Sequence, residues 1–131
     1  MRVILATGII ADRPTANGNL YPREVIERAV HEFNLNAKNR PNLGGIIDKK
    51  HIQRVERVTH ETLSLFINES GMMCAEIRLL DPKVIDSLKK GAGFIARPLL
   101  SIPSFIDNGS KPLTISIINR IVRVLLERSD G

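Results

Sequence analysis

Two runs rich in β-forming residues, 58–67 and 72–79, flank the tetrapeptide Asn68-Glu69-Ser70-Gly71. No other feature constrains the chain as much. Four small or polar residues ending in glycine make a tight reversal, and apolar residues alternating on either side make the strands it joins. On the return run Met73, Ala75, Ile77 and Leu79 share one face, while Cys74, Glu76 and Arg78 share the other. On the outgoing run Leu63, Leu65 and Ile67 are expected on one face, with Val58, His60, Thr62, Ser64 and Phe66 opposite. A hairpin of this kind cannot bury its apolar face alone, so the rest of the chain must cover it.

The flanking segments supply that cover. Arg2 to Ala11 is apolar and reads as a first strand, followed by a loop at Asp12 to Leu20 that holds Pro14, Asn17, Gly18 and Asn19. A helix is expected from Pro22 to about Asn34–Asn36. Its face consists of Val25, Ile26, Ala29, Val30 and Phe33, and His31 lies off it at the surface. Gly44 to Ile47 is a candidate short strand. Asp81-Pro82 opens a second helix, in which Val84, Ile85 and Leu88 form a short stripe that Gly91 terminates. Pro98 and Pro103 exclude helix from the segment after Gly93 and restrict any strand there to an edge or a bulge. Asp107 to Ser110 reads as another turn. Leu113 to Leu126 reads as strand in at least its first half, although its apolar spacing also fits a helix. The order of elements predicts one α+β domain over 1–131, a mostly antiparallel β-sheet or barrel with two helices.

With 43% hydrophobic residues, no Trp and one Tyr among 131, the core must be mainly Ile, Leu and Val. A single cysteine, Cys74, allows no internal disulfide and is expected to be structural. The short apolar N-terminus runs straight into Asp12-Arg13-Pro14, which reads as a strand and not as a signal peptide or a membrane span. The protein is therefore expected inside a cell, or outside it only after lysis. The net charge of +5 suits an acidic partner, yet the basic residues are scattered and no aromatics alternate with them. A solvated surface accounts for them better than a nucleic-acid interface does.

Candidate chemistry is sparse. His51 and His60 stand nine residues apart without cysteines or a carboxylate cluster, so no metal-ligand spacing is met and no metal or other cofactor is expected. Gly91 to Phe94 follows a helix where a dinucleotide loop would follow a strand. A nucleophilic site can be assembled from Ser101 as nucleophile and His51 or His60 as base, with Asp48 or the second histidine orienting it.

Four stretches resemble one family, the prohead core proteases of tailed phages (T-even type), serine endopeptidases with the herpesvirus-assemblin type of fold. They are NLYPREVIERAVHEF at 19–33, VTHETLSLFINESGMMCAEIRLLD at 58–81, VIDSLKKGAGF at 84–94 and LTISIINRIV at 113–122. The first is the most specific, matching the family's Tyr-Pro entry into its first helix. In the family, Gly-Glu-Leu-Asp/Asn-His-Pro carries the general base. Here Gly45-Ile46-Ile47-Asp48-Lys49-Lys50 puts Lys49 at that position, and His51 reaches it only through a two-residue insertion. A gapless match from Gly93 likewise puts Leu99 on the family's nucleophile, and Ser101 needs a second insertion. Pro103-Ser104 would then replace the Arg-Gly of the oxyanion site. His60 alone meets a family histidine directly.

The resemblance implies a phage head or virion protein on a protease fold, with catalysis lost. The alternative is an active serine endopeptidase that processes scaffold and capsid proteins. A basic nucleic-acid-binding module ranks third. The partners implied are phage capsid, scaffold or other head proteins and a homo-oligomer, with no membrane, in the virion or in the host cytoplasm during assembly.

Overall fold

A computed structural model of the chain describes residues 1–15, 18–47, 57–101, 118 and 120–129, and the backbone alone at 114 and 115. The elements in order are β1 (Arg2–Ile10), β2 (Asn19–Leu20), α1 (Arg23–Asn39), β3 (Asn42–Gly44), β4 (His60–Ile67), β5 (Met72–Leu79), α2 (Pro82–Lys89), β6 (Phe94–Ser101), β7 (Thr114–Ile115) and β8 (Arg120–Arg128). Both expected helices form, and the class is α+β. The turn expected at 107–110 lies outside the described residues.

The β4–β5 hairpin is the centre of a four-stranded antiparallel sheet of order β1-β5-β4-β3. Its turn is held by the Asn68 carboxamide, whose Oδ1 accepts from the N–H groups of Ser70 and Met72, both at 3.0 Å. Gly71 adopts φ +82°, a conformation that favours glycine. Met73, Ala75, Ile77 and Leu79 are all buried, as their alternation requires. On β4 the expected alternation fails. The β4–β5 register shifts between Thr62 and Ser64, where one extra residue, Leu63, interrupts the ladder. This bulge reverses the phase of everything before it, so His60 and Thr62 join Leu65 on the core side.

Helix α1 buries Ile26, Ala29, Val30 and Phe33, and His31 is exposed. Pro22 stands at the N-cap in extended conformation, one position earlier than expected. The Arg23 N–H donates to Asp12 Oδ1 from the preceding loop at 3.0 Å. The helix also runs past the expected end to Asn39, because Ala37 still packs on the core. It stops where Pro41 forces Arg40 into an extended conformation. Asn34 docks α1 on β4, its amide accepting from Leu65 N–H at 2.8 Å and donating to Leu65 C=O at 2.9 Å. The second helix starts as expected, with Asp81 Oδ1 accepting from Lys83 N–H at 2.9 Å.

Strand β8 pairs antiparallel with β6, and β7 pairs parallel with β2. The helical alternative for the last apolar stretch is therefore not taken over Arg120–Arg128. On its other side β8 meets the residues after β3. Ile47 N–H donates to Leu126 C=O, and Leu126 N–H donates to Gly45 C=O, which makes a parallel bridge at Ile46. Strands β1 and β6 come close together, but no ladder joins them among the described residues. The expected barrel is thus not closed. Pro98 contributes to the reason, since it has no N–H for the ladder that closure would need.

Candidate functional site

The residues proposed for chemistry are spread along β4, β6 and the segment after β3. His60 is the most completely described. It opens β4 opposite Gly44 of β3 and is wholly buried. Its Nε2 lies 2.7 Å from Val124 C=O, and its Nδ1 lies 2.9 Å from Thr59 Oγ1. A carbonyl only accepts, so Nε2 carries the proton. Burial holds the ring's pKa below the ordinary histidine range, partly opposed by the bond to Val124, and so keeps the ring neutral. Nδ1 must then accept, and the Thr59 hydroxyl donates to it.

This bond continues a ladder that has run out of backbone. Leu126 uses its N–H and C=O toward the segment after β3, at Gly45 and Ile47, so by alternation Val124 presents its own toward the same side. There the imidazole takes the place of a strand N–H. Gly44 makes the approach possible. A Cβ there would collide with the Val124 carbonyl oxygen and stand 3.1 Å from both His60 Cε1 and Nε2. Thr59, Gly44 and Val124 were not singled out from the sequence. The Gly44-Gly45 pair is the one signal that marked this close approach.

The same geometry explains Pro98. It faces Val124 across the β6–β8 pair, and Val124 turns its polar groups away from β6. Pro98 therefore occupies a non-hydrogen-bonded position, where its missing N–H costs nothing. Leu99 follows opposite Arg123 and is 36% exposed. Ser101 ends β6 opposite Arg120, half-buried. His60 bonds at Val124, level with Pro98, and Ser101 lies three positions beyond Pro98 along the strand, about 10 Å. The described part of the chain thus leaves His60 and Ser101 apart.

His51, Asp48, Lys49 and Pro103 lie outside the described residues. What is described is the approach to the first three. Ile47 meets β8 beside Leu126, and the bridge there is parallel, so the chain heads toward Arg128. Ser101 is at the opposite end of β8, six residues away at Arg120, or about 20 Å.

Cys74, on the outer face of β5, is buried between Ala6 and Phe66. Burial raises its thiol pKa, which disfavours the nucleophilic thiolate. Among the described residues no three His, Cys, Asp or Glu side chains gather in a group that could hold a metal, and no helix is long and apolar enough to cross a membrane.

Two helices thus pack on mostly antiparallel strands that do not close into a barrel among the described residues, with His60 buried where β4 meets β3. Among solved structures the chain is similar to the bacteriophage T4 capsid assembly protease, gp21. The TM-score is 0.67 at 14% identity, over 99% of this chain and 81% of that one. At that identity the likeness establishes the fold. No protein-family model matches the chain, and no curated protein matches it by sequence.

Proposed function

We propose that this chain is a bacteriophage head-assembly protein that uses a capsid-assembly-protease fold as a binding scaffold, without catalysis. The observation that carries the reading is the extent of the fold, shared over 99% of the chain with a capsid assembly protease. The loss of catalysis is supported by the candidate site. Both nitrogens of His60 are committed to Thr59 and Val124, which leaves no lone pair to take a proton from a serine. Leu99 stands exposed where a gapless match puts the nucleophile.

Incubation with the unprocessed scaffold and capsid proteins of its phage tests the proposal. The expected result is association without cleavage, and no labelling by a fluorophosphonate serine probe. Labelling and cleavage that vanish in Ser101→Ala and in His51→Ala would instead establish an active endopeptidase, with Asp48 or His60 orienting His51. Tight binding to duplex DNA that weakens steeply with salt, with none to head proteins, would favour the nucleic-acid reading.

A further inference from the structure

We infer that the groove between the last turn of α1, the start of β3 and the start of β8 binds an acidic peptide segment of a partner protein. The groove encloses about 440 Å³, enough for a few side chains. Half-buried Ala37 supplies apolar surface above the buried Phe33 and Ile121, and Arg40 and Arg120 stand exposed beside it. Neither arginine has an ion pair or hydrogen-bond partner among the described residues. Lys38, in the last turn of α1, adds a third exposed cation nearby, and Glu32 is the one acid in the lining.

The helix end decides the kind of anion. Arg40 N–H occupies the Asn36 carbonyl. The carbonyls of Ala37, Lys38 and Asn39 belong to the last turn, where no intrahelical N–H remains for them. Ala37, Asn39 and Arg40 all line the groove, so the helix end that holds these carbonyls and one guanidinium share a stretch of chain. A peptide with acidic side chains answers both, with carboxylates for the arginines and backbone N–H groups for the carbonyls. A polynucleotide offers phosphates for the arginines but few backbone donors for those carbonyls. The lining has no exposed aromatic face for base stacking, because its only aromatic, Phe33, is buried.

This inference rests on the reading that the chain works through partner proteins and is independent of catalysis. Fluorescence anisotropy on the full chain tests it, with a labelled dodecapeptide of alternating Glu and Leu as probe. A Gln-for-Glu version and a twelve-nucleotide strand and duplex serve as comparisons. The acidic peptide is expected to bind, and Arg40→Ala and Arg120→Ala should each weaken it by about tenfold. Arg40→Lys should recover only part of that loss, and Lys83→Ala on α2 should change nothing. Equal binding of the Gln peptide, indifference to both Arg variants, or tighter Arg-dependent binding of either oligonucleotide would overturn the inference. Head proteins still captured by the Arg40→Ala/Arg120→Ala double variant would remove the groove as their docking site and leave the assembly reading standing. Arg-dependent peptide binding by a chain that captures no head protein would support the groove and remove the assembly reading.

Discussion

Strands β5 and β6 have the same length and opposite situations. Strand β5 is paired on both sides, by β1 and β4, and every second residue of it is buried. Among the described residues strand β6 is paired only by β8; it holds a proline, shifts register between Leu99 and Leu100, and has Ala96 as its one fully buried residue. Leu99 and Ser101, the two positions that the sequence offers for a nucleophile, both fall on β6. An interior strand is held by packing and hydrogen bonds from two neighbours, so its sequence has little freedom. An edge strand can take a proline at a non-hydrogen-bonded position and an exposed leucine, and the fold survives.

The comparison can be broken most sharply at Ile77. Ile77→Asp would put an unpaired carboxylate in the centre of the core, at a cost of several kcal/mol, roughly the whole stability of a small domain. Circular dichroism should show an unfolded chain. A cooperatively folded variant with an unchanged melting temperature would mean that β5 is not the interior strand.

His60→Ala comes next, because it opens a cavity and leaves the Val124 carbonyl and the Thr59 hydroxyl without their partner. A loss of about 3 kcal/mol in urea denaturation is expected. The same residue sets a pH dependence. Its folded-state pKa is lowered by burial, so below the unfolded value of about 6.5 the unfolded chain binds a proton that the folded chain does not. This contribution to stability is fully present above that value and diminishes as pH falls toward the folded pKa. The decline should be shallower in His60→Gln than in the natural chain. Matching slopes would show that the ring is not held neutral.

Asn68→Ala removes the acceptor for Ser70 and Met72 in the hairpin turn and should cost about 1 kcal/mol. The smallest effect belongs to β6. Leu99→Asp should change stability by no more than about 0.5 kcal/mol. A loss comparable to that of Ile77→Asp would show that β6 is buried in solution, and the contrast between the strands would fall.

Much of this architecture is local chemistry. The Asn68–Gly71 turn, the buried alternation of β5, the Asp81-Pro82 helix start and the apolar face of α1 each follow from a few neighbouring residues, because turn geometry and side-chain period are properties of a short segment. Three features were not legible this way. The place of His60 depends on the Leu63 bulge, and a bulge exists only relative to a partner strand. Its hydrogen bonds depend on Val124, 64 residues away, whose carbonyl is presented because β8 already bonds the segment after β3 at Leu126. The open junction between β1 and β6 depends on which edges the remaining strands leave unpaired. Sequence by itself determined the elements and the faces that each element must bury. Tertiary structure alone decided which edges meet and which partners a buried histidine finds, because those outcomes depend on groups the chain brings together only when it is folded.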